Sequence, residues 1–423
     1  MPAKFDAKIG GDAQVGAVGD YATIFQLFVQ PPEDLASYVR ARDFQVIVDD
    51  RTRSFVGRDF VFDAVDAIIA DRDFPSGYIV IQGEPGIGKT AVLSEFIKRR
   101  KCVHHLHSAA SGIRSPEAFL SNVCAQLLIK YKIKERMPAR ATSDSGYLTG
   151  LLAAVTANGA NRPLIVAIDA LDEADRTQGL SLPPTLPKDV YFVVTMREGT
   201  DVTLAVDNSK DIFIRETDPR HRQDVASYID RFVDEHPDSM PARIAGWKVT
   251  RGGFSDVLMT KSEGNFMYLV HVLRDINSGL ISPATIVNVQ KLPNGLVKYY
   301  ELHWKEMRSQ DTTKFTYYQQ PVICLLTTVR EPVSQPYLVD WMQWLWADLE
   351  YQDRMDPAAV KAVIDEWRAF LNVADPDESV PRYRVYHQSL ADFVEAKIGT
   401  TMYHEAIARR GISKIPSLDG ATS

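Results

Sequence analysis

The sequence contains little cysteine: Cys102, Cys124 and Cys324 are the three present, and they are widely spaced. An odd, scattered set fits neither a disulfide framework nor a zinc motif, so we expect buried free thiols in a reducing compartment. No segment approaches the roughly 18 consecutive apolar residues of a membrane span, and the opening MPAKFDAKIGGDAQVG lacks the apolar region of a secretion signal. These absences predict a soluble, cytoplasmic protein with no membrane partner.

Positive charge is also in short supply, because 48 Lys and Arg face 55 Asp and Glu, giving a net charge of −7. This balance argues against a general nucleic-acid binder, since such proteins carry basic surfaces that neutralise phosphates.

Hydrophobic residues make up 45% of the chain, which is typical of a globular protein. At 423 residues the chain is too long for one core, so we expect about two to four structural units.

Strand-like and helix-like segments alternate between about residues 51 and 216. The strand candidates are the apolar runs YIVIQ (78–82), LIVAI (164–168), YFVVT (191–195) and IFI (212–214), with the more polar CVHHLH (102–107) as a fifth. Such runs suit strands that are buried on both faces. Their alternation with helices predicts right-handed crossovers and a mostly parallel sheet. From about 217 to 300 the periodicity is helical, and the following region adds the alternating stretch RYRVYH (382–387).

The segment GEPGIGKT (83–90) has the spacing of a phosphate-binding loop, G-x-x-x-x-G-K-[ST]. It lies between a strand candidate and the helical AVLSEFIKRR, where glycines let backbone N–H groups surround a phosphate at a helix N-terminus. Lys89 is predicted to reach the outer phosphates, and Thr90 to bind Mg²⁺. The predicted nucleotide-binding residues here are Gly83, Glu84, Pro85, Gly86, Ile87, Gly88, Lys89, Thr90 and Ala91.

The segment LIVAIDALDEAD (164–175) places acids at and beyond a strand end. Asp169 closes the strand, and beside a P-loop it is predicted to hold Mg²⁺ through water rather than only to cap a helix. Asp172 and Glu173 follow in the turn, and we expect one of them, Glu173 before Asp172, to act on the attacking water. The alternative is a solvated acidic turn, to which we assign Asp175. Arg197, which ends the next strand, is predicted to contact the γ-phosphate, with strand capping as its alternative.

Two other features do not indicate chemistry. The histidines of HHLH (104–107) would alternate along a strand with no acid or cysteine at metal-binding spacing, so we expect packed or surface histidines. Residues 334–387 contain ten acids and five Lys or Arg, which makes a DNA-reading surface there unexpected.

Taken together, the motifs resemble the STAND class of P-loop ATPases, signalling switches that include NACHT and NB-ARC proteins. The run IDALDE looks like the NACHT-type metal motif, and FVGRDF (55–60) is similar to the segment that lines the adenine, with Gly57 and Arg58 at its centre. SEGNFMYLV and LPNGLVKYYELHW are similar to helical-domain segments of this class. YRVYHQSLADFV resembles the end of a winged-helix domain, in which His387 matches a histidine that reaches the β-phosphate of ADP. Arg197 falls where the family has its sensor arginine.

The resemblance covers about residues 51–399 and implies an α/β fold class with three consecutive units. These are a P-loop parallel three-layer nucleotide-binding domain (51–216), an all-helical domain (217–300) and a winged-helix domain (301–399). Residues 1–50 are expected to form an N-terminal adaptor segment, and residues 400–423 a tail or a linker to a further C-terminal region. No effector domain is recognisable before residue 51 and no sensor repeats are recognisable after residue 399, although the family often carries both.

The mechanism that the resemblance implies is a switch with weak ATPase activity. ADP would hold a closed monomer, exchange for ATP would release the winged helix for self-association, and slow hydrolysis would reset the protein. Mg²⁺ would accompany the nucleotide, and the trigger and the effector would be proteins. Adenine rather than guanine follows from the family likeness alone.

Three other functions remain open on the sequence. One is a winged-helix, DNA-associated ATPase of the initiator or transcription-regulator type, which would need a basic recognition helix. Another is a small-molecule kinase, although the long helical regions have no role in such an enzyme. The last is a scaffold that holds its nucleotide for structural reasons only.

Overall fold

The first half of the protein is built on a parallel sheet of five strands. The computed structural model describes residues 33–108, 113–157, 162–175, 179–329, 331–348, 356–374, 380–385 and 388–413. The strands are β1 (Gly77–Gly83), β2 (Val103–Leu106), β3 (Leu164–Asp169), β4 (Val190–Arg197) and β5 (Ser209–Phe213), in the spatial order β2-β3-β4-β1-β5. All four pairings are parallel, so the five predicted strands and the α/β class are confirmed.

Helices cover both faces of this sheet, which gives the three predicted layers. Alternate residues of each strand point to opposite faces, and two separate apolar cores result. One core joins Val80, Val166 and Phe192 to the helices Pro116–Lys130 and Gly146–Thr156. The other joins Ile79, Ala167 and Val193 to the helices Ala41–Thr52, Asp59–Ala70 and Lys89–Arg100. A short helix, Glu33–Tyr38, adds Leu35 to the first core.

The helix Ala41–Thr52 crosses the boundary at residue 50 that the sequence indicated. Its residues Phe44 and Val48 are buried in the core beneath the helix Lys89–Arg100. Phe44 also contacts the rings of His104 and His105 on β2, at centroid distances of 5.9 and 5.4 Å. This part of the segment 1–50 therefore packs with the nucleotide-binding unit. The rest of that segment up to residue 32 lies outside the described residues.

Helices follow the sheet, as the periodicity predicted. Their bounds are Pro219–Glu235, Met240–Gly246, Arg251–Ser262, Phe266–Ser278, Gly295–Gln310, Thr312–Lys314 and Gln320–Thr328, with a π-helical turn at Phe315–Gln319. In the first of them Val225, Ile229 and Val233 are buried at the expected helical spacing. We refer to the four helices between residues 219 and 278 as the lid.

A small antiparallel sheet lies near the C-terminus, with the spatial order β6 (Val333–Ser334), β8 (Arg382–Val385), β7 (Leu371–Ala374). It is accompanied by the helices Gln335–Asp348, Pro357–Glu366, Gln388–Ile398 and Thr401–Ser413. The last helix falls in the range expected to be a tail, yet Tyr403 is buried and Arg410 donates to Asp340 at 2.6 Å. We call the described residues from 320 onward the C-terminal unit.

The lid and the C-terminal unit share one continuous apolar core. The helix Gly295–Gln310 connects them, because Tyr299 contacts Tyr268 of the lid while Trp304 contacts Trp367 and Phe393 of the C-terminal unit. The sequence indicated two separate units at this point, whereas their packing joins them.

The three cysteines are free and buried, as expected. Among the described helices, none combines the length and the apolar character that crossing a lipid bilayer requires.

The three histidines of the HHLH segment are packed in the interior, so of the two expectations, packed or surface histidines, the first is confirmed. His104, His105 and His107 are all buried, and the Nδ1 of His104 lies 3.0 Å from the carbonyl oxygen of Cys102. Burial lowers the pKa of His104 and of His107 to about 4, because the charged imidazolium would lose its hydration there. Both are therefore neutral at physiological pH.

These histidines should make the fold sensitive to acid. A folded-state pKa of about 4 lies below the ordinary value of 6.5, so the unfolded chain takes up protons first as the pH falls. Each histidine then costs about 1.4 kcal/mol of unfolding free energy per pH unit between roughly 6.5 and 4. We expect the midpoint of thermal unfolding to drop between pH 7 and pH 5. The drop should be smaller in His107→Gln than in His404→Gln, which alters an exposed histidine; equal drops would contradict this prediction.

Candidate functional site

The phosphate-binding loop connects β1 to the helix Lys89–Arg100, as the sequence predicted. Gly86 has φ +81° and Gly88 has φ +102°, and glycine adopts such angles without steric cost. The first N–H groups of the helix have no partners within it and point, with the positive end of the helix dipole, towards the loop. The loop therefore has the donors and the curvature that a chain of phosphates requires.

Lys89 lies inside this loop. Its Nζ donates to the carbonyl oxygens of Gly83 and Glu84 at 2.7 and 3.0 Å. Burial lowers the pKa of Lys89 to about 8, although the carboxylates of Asp172 and Asp169 oppose that effect. An incoming phosphate would stabilise the charged ammonium and would offer it a stronger acceptor than a carbonyl.

Asp169 is buried at the carboxyl end of β3, with 3% of its surface exposed. Its carboxylate accepts hydrogen bonds from the hydroxyl groups of Thr195 on β4 and of Thr90 in the phosphate loop. Burial raises the pKa of Asp169, and the two hydroxyl groups counteract it. Thr90 and Asp169 thus bring together the hard oxygen donors that Mg²⁺ prefers, with water and phosphate as its other ligands.

The acidic pair follows in a short 3₁₀ turn, Leu171–Glu173. Ala170 precedes it in the left-handed conformation, at φ +50°, and its N–H donates to Thr195 Oγ1 at 2.9 Å. Asp172 is bound twice by Arg197, once by the backbone N–H and once by Nε, both at 3.1 Å. The carboxylate of Glu173 is farther from the same guanidinium, at 4.0 Å. Asp172 is therefore fixed by Arg197, and both acids line the cavity beside Lys89.

Arg197 ends β4 next to the phosphate loop, since Gly83 and Arg197 are paired in the sheet. Its Nη1 forms a 2.8 Å ion pair with Asp392 on the helix Gln388–Ile398 of the C-terminal unit. Burial lowers the pKa of Arg197, but Asp392, Asp172 and Glu173 more than compensate and the net shift is upwards. The sequence placed Arg197 at this edge but gave no indication of its partner 195 residues later.

A cavity extends from the phosphate loop between the sheet and the lid. At the loop it is lined by Lys89, Thr90, Asp172, Glu173 and Arg197. Away from the loop its walls combine charged residues, such as Asp50, Arg51, Arg53 and Arg274, with apolar and aromatic residues of the FVGRDF segment and the lid: Phe55, Val56, Tyr228, Phe266, Met267 and Val270. A cavity with cations at the phosphate loop and aromatic side chains beyond it suits a nucleotide, whose base packs against apolar walls.

Arg58 is a buried cation that connects the FVGRDF segment to both the loop and the lid. Its guanidinium donates to the carbonyl oxygen of Ile87, lies 2.7 Å from the Nδ1 of His221, and stacks over the ring of Phe266 at 4.9 Å. Burial lowers the pKa of Arg58 to about 10, which the nearby Asp224 opposes. Gly57 before it has φ +63°, and a side chain there would collide with Asp224. Of these two residues, Arg58 lines the cavity.

The lid is bonded directly to the phosphate loop. Asn265 donates to the carbonyl oxygen of Pro85 at 2.9 Å, and the N–H groups of Phe266 and Met267 lie 3.0 and 3.3 Å from the carbonyl oxygen of Gly86. The first turn of a lid helix thus caps the outer side of the loop. The loop and the lid consequently move together unless these bonds break.

Ten of the predicted site residues line this cavity: Arg58, Pro85, Gly86, Gly88, Lys89, Thr90, Ala91, Asp172, Glu173 and Arg197. Gly57, Gly83, Glu84, Ile87 and Asp169 do not line it, and His387 lies outside the described residues. Sequence reasoning missed Thr195, Asn265 and Asp392. Thr195 was open to prediction, because it lies two residues before Arg197 on the same face of a strand. Asn265 has the signature of a helix N-cap, since its side chain accepts from the N–H of Tyr268.

The comparisons with known proteins agree with this class of site. Residues 54–188 match the AAA ATPase domain family, and no curated protein matches the chain. Among solved structures, the Walker-type ATPase of Pyrococcus abyssi has 10% identity and a TM-score of 0.35, covering 82% of this chain and 95% of its own. Cdc6p of Pyrobaculum aerophilum has 10% identity and a TM-score of 0.30, covering 84% and 94%.

The ORC2 protein of Aeropyrum pernix also has 10% identity, with a TM-score of 0.33 and coverage of 88% and 99%. Scores of this size are too low to assign a function. The parallel sheet and the phosphate loop have the arrangement of a P-loop nucleotide-binding domain, and residues 54–188 are similar to the AAA ATPase domain family.

We expect nucleotide binding to require the hydrogen bonds between the phosphate loop and the lid. A Cβ at Gly86 would lie 2.5 Å from the amide group of Asn265, whereas Gly179 has the same φ of +81° and no atom within 4 Å. Both Gly86→Ala and Gly179→Ala place an alanine at a positive φ, which strains the backbone to a similar extent. Only the Gly86→Ala side chain would also collide with Asn265 of the lid. In titrations with a fluorescent ADP, we expect at least about tenfold weaker binding for Gly86→Ala and less than about twofold for Gly179→Ala. Equal affinities would show that the lid contact has no role in binding.

Proposed function

We propose that this protein is an ATP/ADP-dependent signalling switch of the STAND class, with a weak ATPase activity that resets it. One observation carries the proposal: the sheet, the lid and the C-terminal unit all contribute to the candidate site or contact it directly. The sheet supplies Lys89 and Arg197, the lid binds the carbonyl oxygen of Gly86, and the C-terminal unit binds Arg197 through Asp392. A nucleotide in such a site would affect how these parts are held together.

The residues of the site suit adenine nucleotide and Mg²⁺. Backbone N–H groups of the loop and Lys89 would hold the phosphates, while Thr90 and Asp169 would hold the metal. Mg²⁺, when bound, would neutralise charge on the β- and γ-phosphates. Glu173 would orient the attacking water, and Asp172 would fix Arg197 towards the γ-phosphate.

We assign the C-terminal unit to the winged-helix class. The order of its elements is helix (Gln320–Thr328), β6, two helices, β7 and β8, and β8 lies between β6 and β7 in the sheet. A hairpin that follows three helices and pairs with a short first strand is the arrangement expected of a winged helix. In the closed monomer this unit would be held against the sheet, and ATP would free it for self-association in response to protein partners.

A second function, a DNA-associated ATPase of the initiator or transcription-regulator type, is favoured by that same arrangement. The helix before the hairpin, Pro357–Glu366, would be the one to enter a DNA groove. It carries Lys361 against Asp365 and Glu366, and Lys361 is paired with Asp365 at 2.8 Å. Because an acidic helix is repelled by phosphates, we rank this function second.

The variant Glu173→Gln should distinguish a hydrolytic switch from a scaffold that holds its nucleotide for structural reasons only. Removing the carboxylate charge while keeping the shape of the side chain should slow ATP hydrolysis at least about 100-fold and leave ATP affinity within about threefold. ATP-bound oligomers should then accumulate, which mass measurements in ADP and in ATP would detect. Asp175→Asn, just after the same turn, is the matched control and should behave as the wild type. Unchanged turnover together with unchanged assembly would exclude a hydrolytic switch.

DNA binding should be weak. Fluorescence anisotropy with a labelled duplex should give no saturable binding at physiological salt in ADP or in ATP. Tight binding that weakens steeply with added salt would instead support the second function, because released counterions make phosphate contacts salt-dependent. The control is Lys361→Gln on the helix Pro357–Glu366, which should leave the anisotropy unchanged if that helix does not contact DNA.

A further inference from the structure

Arg197 is bound by carboxylates on all sides of its guanidinium. Nε lies 3.1 Å from Asp172, Nη2 lies 4.0 Å from Glu173, and Nη1 lies 2.8 Å from Asp392. The first two acids come from the turn after β3, beside the cavity. The third comes from the C-terminal unit, 195 residues away in sequence.

Asp392 is held in this position by its own helix. Leu390, Phe393 and Val394 of that helix are buried in the shared core. One oxygen of Asp392 accepts from the side chain of Gln388 at 3.1 Å, and the other accepts from Arg197 at 2.8 Å. The carboxylate is therefore presented by a packed helix and not by a loose surface side chain.

A γ-phosphate would need the same cation. Arg197 lines the cavity next to Lys89, Asp172 and Glu173, at the outer end of the phosphate loop. A diphosphate lacks the γ-phosphate that Arg197 is expected to contact. A triphosphate would add negative charge close to Asp172 and Glu173, where a third carboxylate on the same guanidinium would oppose it.

We propose that Asp392 determines the preference of the closed protein for a nucleoside diphosphate over a triphosphate, because its carboxylate holds the Arg197 nitrogen that a γ-phosphate would otherwise bind. This inference rests on the proposed binding of adenine nucleotides and names one residue that sets their order of affinity. Binding of a triphosphate and docking of the C-terminal unit through Asp392 are then mutually opposed. By linkage, each weakens the other by the same factor.

Asp392→Asn tests this proposal, since it removes one charge and keeps the shape of the side chain. The measurement is the dissociation constant for ADP and for a non-hydrolysable ATP analogue, both with Mg²⁺, on the full chain. We expect the ratio of the two constants to shift about two- to fivefold in favour of the triphosphate, with ADP affinity unchanged. Glu301→Gln is the matched control, because Glu301 pairs with Lys397 of the same helix at 3.7 Å, away from Arg197. It should leave the ratio as in the wild type.

The double variant Arg197→Gln, Asp392→Asn tests whether the change in affinity ratio acts through Arg197. In an Arg197→Gln background, adding Asp392→Asn should leave the ratio unchanged, because the shared cation is gone. An unchanged ratio in Asp392→Asn alone, with tight binding of both nucleotides, would overturn this proposal and leave the proposed switch intact. A wild-type protein that binds neither nucleotide would overturn the proposed function itself.

Discussion

The site depends on how one buried carboxylate is satisfied. Asp169 has 3% of its surface exposed, so a charge there is costly unless hydroxyl groups or a metal compensate it. Thr195 holds it from β4, and Thr90 holds it from the helix after the phosphate loop. The Thr195 hydroxyl also accepts the N–H of Ala170, which fixes the direction in which the chain leaves β3. Through these hydrogen bonds Asp169 is linked to the phosphate loop, to the strand that ends in Arg197 and to the acidic turn.

The lid adds a second constraint, because it occupies the outer side of the same loop. Gly86 presents its carbonyl oxygen to the N-terminus of a lid helix, which is the end of a helix where acceptors are favoured. Since the lid also shares its core with the C-terminal unit, a displacement of the loop is transmitted to both. Rearrangement of the loop and rearrangement of the lid are thus parts of one motion.

Local patterns were sufficient to predict the sheet and the phosphate site, but not the contacts between units. The five strands, Lys89, Asp169 and the acidic turn each follow from a spacing of a few residues. Asn265 and Asp392 meet their partners 180 and 195 residues away, and no periodicity encodes a contact of that kind. The packing of the lid against the C-terminal unit was not apparent from the sequence for a related reason. The helix Gly295–Gln310 is apolar on more than one side, with Tyr299 facing the lid and Trp304 facing the C-terminal unit.

The strength of the Arg197–Asp392 interaction limits what it can do. Asp392 is 45% exposed, and ion pairs that water reaches contribute about 0–1 kcal/mol. Moving a two-state protein from nearly all closed to nearly all open requires about 5.5 kcal/mol. The ion pair can therefore bias the choice of nucleotide, but the closed arrangement must depend on stronger interactions. The aromatic core around Tyr299, Tyr300 and Phe370 joins the lid to the C-terminal unit, so it stabilises the contact between those two units and not their contact with the sheet. If the C-terminal unit is released, it should leave the sheet with the lid attached, and the surface that separates would be the one that contains Arg197.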